Sequence, residues 1–263
     1  MSISKPIFVC IPGVSHPPII YDPLKASLSL HGYTAILVSL PSIGASQPVY
    51  DFTDDVLAIR LAISRLVDAG TDVIVVIHGW SGVVGGEAVQ GMSKAERARR
   101  GLRGGVVRLV FIMAWIVKEG FQGAPRGDVS SMLPYLQADT LSQTAVPIPS
   151  LAVQCLFNDM APQQANFWTS QLLPQSLGVF WSKTTFAAWR HIPTTYVLCG
   201  QDQNVTVEYA EMMIQAAKDS GAHMIDRIER CEEAGHEVFL SRVSILARRL
   251  VLATENPQDL DVE

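Results

Sequence analysis

Residues 72–86 read DVIVVIHGWSGVVGG. The first seven, Asp72 to His78, form a nearly unbroken β-branched run, the pattern of a strand buried on both faces. After His78 the chain changes to glycine, one aromatic, serine and small residues, so it turns sharply and enters a helix near Ser81. A tight strand-to-helix turn presents its apex residue at the strand's end, a setting that suits a nucleophilic serine. One serine is present, Ser81, but it stands two residues beyond Gly79, the first residue of the turn.

The same alternation extends outward from this stretch. PIFVCIPG (6–13) and YTAILVSLP (33–41) read as strands, with the helix DPLKASLSLHG between them stopped by Gly32. DFTDDVLAIRLAISRLVDAG (51–70) is an amphipathic helix, and Asp54 and Asp55 are helix N-terminal acids within it. VVRLVFIMAW, TTYVLCG and AHMIDRIE supply three further strands. EVFLSRVSILARRLVLAT closes the fold as one long helix, and the acidic tail ENPQDLDVE is expected to fray. Apolar strands alternating with helices predict an α/β fold, a mostly parallel sheet covered on both faces. The segment from about 117 to 191 breaks the rhythm, being rich in Pro, Gln, Ser and aromatics. It is expected to form a small helical cap inserted between sheet strands of a single domain spanning 1–263, over the sheet edge where ligands bind.

Composition narrows the function classes. Of 263 residues, 48% are hydrophobic and 17% charged, ample for a substantial core. A net charge of −5 argues against a nucleic-acid footprint. The one basic cluster, Lys94, Arg97, Arg99, Arg100 and Arg103, reads as a solvated loop or helix end. Cys10, Cys155, Cys199 and Cys231 lack paired spacing, so neither disulfides nor a zinc site is expected. The N-terminus has no signal-peptide pattern, and the most apolar stretch is too short for a membrane span. The expectation is a reduced cytoplasmic protein without metal or organic cofactor. Its expected partner is a hydrophobic small-molecule substrate, not nucleic acid or membrane, and a homodimer is a candidate assembly.

Four stretches together resemble the α/β-hydrolase-fold superfamily. PGVSHPPIIYDPL resembles the loop after the first central strand, and IHGWSGVVGGEA the nucleophile elbow. VLCGQD resembles the strand end carrying the acid, and EEAGHEVFLS the loop carrying the histidine. They occur in the order nucleophile, acid, histidine that this fold uses. The cap stretch LFNDMAPQQANFWTSQLLPQSLGVFW and WRHIPTTYVLCGQD are similar to the small single-domain esterase and hydroxynitrile-lyase-like branch. The resemblance implies catalytic roles for His236 and Asp202. It implies an oxyanion hole from the backbone of Trp80 and of Val14 and Ser15.

In that branch the elbow typically reads His-Ser-Tyr-Gly-Gly. Aligned without a gap, His78 matches, Trp80 takes the aromatic position, and the nucleophile position falls on Gly79. Ser81 then stands where the family has a glycine that lets helix and strand pack closely. A shifted elbow with Ser81 as nucleophile satisfies the first half of G-x-S-x-G but places Val83 where a small residue belongs.

Without the hydroxyl, His236 oriented by Asp202 remains a base near neutral pH. A base with oxyanion donors suits proton transfer on a carbonyl-bearing molecule, as in a lyase, isomerase or cyclase of specialised metabolism. The alternatives are a serine esterase using Ser81 and a non-catalytic ligand-binding protein of the same fold. His16 is a candidate polar group toward substrate, with a backbone-bonded loop histidine as the other reading. Trp115 and the cap aromatics Phe121, Phe157, Trp168, Phe180, Trp181 and Trp189 are candidates for an apolar binding pocket.

Overall fold

A computed structural model describes residues 5–254. In chain order its strands are β1 (Ile7–Ile11), β2 (Ala35–Leu37), β3 (Asp72–His78), β4 (Gly105–Ile112), β5 (Leu136–Asp139), β6 (Thr144–Pro147), β7 (Gln175–Ser176), β8 (Thr194–Cys199) and β9 (Ile225–Cys231). Its α-helices are α1 (Asp22–Leu30), α2 (Thr53–Asp68), α3 (Gly82–Ala88), α4 (Lys94–Arg99), α5 (Pro149–Leu156), α6 (Pro162–Ser170), α7 (Val207–Asp219), α8 (Val238–Ser241) and α9 (Val243–Leu252).

Six strands form one parallel sheet in the order β2-β1-β3-β4-β8-β9. The central strands are buried almost throughout, as their apolar runs require. Each fully buried Val or Ile there contributes about 1.5–3 kcal/mol. β9 instead alternates buried and accessible residues, as suits an edge strand that presents charge to solvent. Helices flank this sheet, with α1 packed on α9 and α2 packed on α3. Because all six strands are parallel, β3, β4 and β8 end at one edge. The loops beyond Ile11, His78, Cys199 and Cys231 therefore converge there. None of the described helices is long and apolar enough to cross a membrane.

Several expectations change in detail. The insertion between β4 and β8 is not purely helical: β5, β6 and β7 form a small antiparallel sheet beside α5 and α6. Its hairpin strands are four residues each, too short for a periodic signal, and Gln143 takes a left-handed φ of 54° at the turn. The closing helix is two helices, broken at Arg242, whose φ of −132° and ψ of 43° lie outside helical values. The acidic tail 255–263 lies outside the described residues. Arg97 leaves the solvated cluster entirely. It is buried, donates to the carbonyls of Gly104, Val67 and Arg103, and pairs with Asp68 at 2.9 Å.

The close approach of helix to strand falls on Gly82, not on the residue before it. A Cβ at Gly82 would lie 1.9 Å from the Trp115 carbonyl oxygen, a backbone atom with no room to retreat. Gly82→Ala is therefore expected to destabilise the fold by about 3 kcal/mol or more, read from the shift in denaturation midpoint. A change under about 1 kcal/mol would show that α3 slides freely over β4.

Candidate active site

Gly79 directly follows β3 and has a φ of 54°, in the left-handed region that glycine occupies without penalty. A Cβ there would lie 3.3 Å from His236 Nε2, with no other side chain in between. His236 stands on the loop between β9 and α8, and Asp202 on the loop after β8. The two meet across 34 residues of chain: His236 Nδ1–H donates to Asp202 Oδ2 at 2.6 Å. Asp202 Oδ1 accepts from the amides of Asn204 and Val205 at 2.7 and 2.8 Å, so the carboxylate is held rigidly. Both side chains are buried. Burial alone would depress the His236 pKa. The Asp202 charge and hydrogen bond, helped by Glu237, outweigh it and hold the pKa above the ordinary histidine value.

Asn204 completes this arrangement and was missed by motif reading. Its Nδ2 donates to His236 Nε2 at 3.1 Å, which requires a lone pair on Nε2 and a proton on Nδ1. The signal was local: Asn204 follows Asp202 by two residues, the spacing of a side-chain-to-backbone turn.

Ser81 sits elsewhere. Its φ of −66° and ψ of −3° are helical, and its Oγ donates to the Pro12 carbonyl at 2.5 Å. That bond points the hydroxyl beneath the β1 loop and accounts for a polar side chain that is 3% exposed.

The oxyanion candidates separate. Trp80 lies in the first turn of a short 3₁₀ segment, where an amide has no intrahelical acceptor. Ser15, at a φ of 67°, already donates its amide to Gln175 Oε1 at 3.1 Å, so that donor is committed to the cap. This corrects the expectation for Ser15 and leaves Val14 as the candidate on that loop. Gln175 in turn donates to Ser42 Oγ at 2.8 Å, and Ser42 donates to Asp55 Oδ2 at 2.6 Å. Asp55 is thus more than a helix N-terminal acid. It is buried, and that burial raises its pKa despite the Ser42 hydrogen bonds.

His16 also departs from the substrate-facing expectation. It is buried, with Nδ1 at 2.6 Å from the Val14 carbonyl and Nε2 at 3.1 Å from Glu237 Oε1. His78 donates from Nε2 to the His236 carbonyl at 3.2 Å, and burial drives its pKa down to about 3, so it is neutral. His78, His236 and Glu237 each place one donor atom within 4.8 Å of the others, a spacing that could hold an ion. Both nitrogens of His236 are engaged by Asp202 and Asn204, whereas His78 Nδ1 and both Glu237 oxygens have no hydrogen-bond partner.

The aromatics divide into two sets. Trp80, Trp115, Phe121 and Phe180 line a cavity of about 220 Å³ at the sheet's C-terminal edge, with Tyr209 and Met132. Trp80 packs on Trp115 and Phe180 at centroid distances of 5.2 and 5.1 Å. Trp115 and Phe121 continue into a groove of about 290 Å³ shared with Trp189, Met212 and Met213. Phe157, Trp168 and Trp181 lie apart from both. Phe157 is buried in the cap, Trp168 packs edge-on to Phe167, and Trp181 Nε1 donates to the Asp128 carbonyl. Chain-local reading could not sort the two sets, because cap core and pocket wall draw on the same side chains.

Known proteins match this chain over nearly its whole length. The model of the alpha/beta hydrolase family matches residues 8–249. The alpha/beta hydrolase nvfD of Aspergillus novofumigatus (strain IBT 16806) is 30% identical over 248 residues, covering 94% of this chain and 95% of that protein. A probable hydrolase R7 of Phoma sp. (strain ATCC 20986 / MF5453) is 25% identical, covering 89% and 92%. A crystal structure of a histidine-to-alanine variant of polyneuridine aldehyde esterase superimposes with a TM-score of 0.76 at 15% identity, covering 96% of this chain and all of that one. The family model over residues 8–249 and the relative at 30% identity over nearly the whole length show that the chain belongs to the alpha/beta hydrolase family.

Proposed function

We propose that this protein is an α/β-hydrolase-fold enzyme that works without a serine nucleophile. His236, oriented by Asp202, takes and returns a proton on a hydrophobic carbonyl-bearing small molecule, in lyase, isomerase or cyclase chemistry of specialised metabolism. The observation that carries this reading is the backbone at Gly79. Its left-handed φ and the 3.3 Å from its hypothetical Cβ to His236 Nε2 are the geometry of an elbow apex, with no hydroxyl on it. The helical conformation of Ser81 and the bond from its hydroxyl to Pro12 support the same reading.

In this scheme the Nε2 lone pair of His236 accepts a proton from a carbon or hydroxyl beside the substrate carbonyl. Asp202 stabilises the imidazolium, and such a base contributes about 10²–10⁴-fold. The amides of Trp80 and Val14 stabilise the oxyanion that develops. His236 is only 2% exposed, so bulk water does not compete for the proton. The aromatic cavity at Trp80 and Trp115 suits an apolar substrate body.

Treatment with a fluorophosphonate probe, read by intact mass, tests the reading. No adduct is expected on the protein. An adduct at Ser81 that disappears in Ser81→Ala would replace this reading with a serine esterase.

A further inference from the structure

A polar cluster behind His236 plays no part in the scheme above. Glu237, the residue after His236, is fully buried, and neither of its carboxylate oxygens has a hydrogen-bond partner. A buried carboxylate without such partners is costly unless a positive charge accompanies it. Its nearest basic group is His16, with Nε2 at 3.1 Å in a contact too poorly aligned for a hydrogen bond. The other His16 nitrogen faces the Val14 carbonyl at 2.6 Å, and a carbonyl only accepts, so Nδ1 carries a proton. The Nε2 edge of His16 is thus turned toward the Glu237 carboxylate, and Glu237 shares with His236 and His78 one buried group whose ligand-type atoms lie within 4.8 Å of one another.

We propose that Glu237 is a second carboxylate which, beside Asp202, strengthens His236 as a base, while His16 bridges Glu237 to the Val14 loop. Glu237 is a positioning residue, since it acts on the substrate only through His236. Two buried carboxylates, Asp202 and Glu237, flank His236, so a proton on its ring offsets negative charge in a dry interior, which favours base chemistry at that nitrogen. Asp159, which accepts from the Gly235 amide at 2.8 Å, adds a carboxylate on the same side. His78, at the end of β3, is neutral. Tyr21, Tyr135 and Cys199 keep their protons, because burial, with Glu237 adding to it, raises all three. Burial alone would raise the Glu237 pKa, but the His16 ring at 3.1 Å is the largest of the influences that outweigh it and bring it down to about 2.

The inference rests on His236 being the base, yet its test needs no turnover. The histidine rings of the intact, isotope-labelled protein would be titrated by NMR in the wild type, in Glu237→Gln and in the double variant His16→Gln/Glu237→Gln. In Glu237→Gln the His236 midpoint is expected to move to lower pH by about one unit, since an anion that favoured the imidazolium is gone. The double variant removes both partners of the contact, a milder change than leaving His16 without Glu237, and should move the midpoint in the same direction. A purely structural role would lower the unfolding temperature and leave the midpoint in place. An unchanged His236 midpoint in folded Glu237→Gln, or in the double variant where the single one does not fold, overturns the proposal. That outcome would leave the base role of His236 standing, because His236→Ala tests that role separately.

Discussion

Gly79→Ser is expected to turn a protein inert to fluorophosphonates into one labelled stoichiometrically at position 79. The backbone there already holds the left-handed φ of 54°, which costs a non-glycine residue about 1–3 kcal/mol. A fold with this much buried core can absorb that cost. The new Cβ would sit 3.3 Å from His236 Nε2, a tight contact, so the imidazole must give by a few tenths of an ångström. A hydroxyl on that carbon would then lie within reach of Nε2, and Asn204 Nδ2 would yield its place there. His236 and Asp202 stand ready to activate it, since they are already paired at 2.6 Å. Adding His236→Ala should abolish the labelling. Folded Gly79→Ser that stays unlabelled would mean that Gly79 is not the apex of a working elbow. The native proton-transfer activity of Gly79→Ser should fall, because the hydroxyl occupies the space beside the base.

His236→Ala is expected to lower turnover at least about 10²-fold, the usual contribution of a positioned general base. The substrate would first be found by screening neutral ketones, lactones and esters with apolar bodies. Asp202→Asn should approach the same loss, because the amide neither stabilises the imidazolium nor fixes the Nδ1–H tautomer. The sign of the pH dependence follows from the required protonation state. The reactive form has a free Nε2, so kcat/KM should rise with pH through the His236 pKa and fall below it. Asp202 and Glu237 hold that pKa above the ordinary histidine value of about 6.5, so the acid limb should lie on the alkaline side of it. Full turnover in a folded His236→Ala protein would remove His236 as the base, whereas biological activity retained by that variant without any turnover would favour the ligand-binding alternative, in which the His–Asp pair is a relic.

Much of the fold was legible because its signals are local. The run from Val73 to Ile77, the amphipathic period of 51–70 and the glycine punctuation each concern neighbours in the chain. The sheet places β3 between β1 and β4, as a strand apolar throughout should be. The failures have local causes as well. The β5–β6 hairpin is too short to show a period, and nothing in EVFLSRVSILARRL marks the break at Arg242.

The site divides along the same line. His236 and Asp202 stood out through the order of three short motifs, and Gly79 through its register between strand and helix. Asn204, Gln175 and Glu237 did not, although each touches a group the motifs had found. Gln175 meets the Ser15 amide across 160 residues of chain, and the His78 ring meets the His236 carbonyl across 158. Sequence carries the residue types and local geometry that form strands, helices and a sharp turn. Only the tertiary structure decides which buried polar atoms face one another, because each must find its partner in three dimensions or leave a charge or donor unpaired. That requirement directs the Ser81 hydroxyl to Pro12 and seals His16 against Glu237. It also leaves glycine facing the histidine, which no single segment of the chain could have specified.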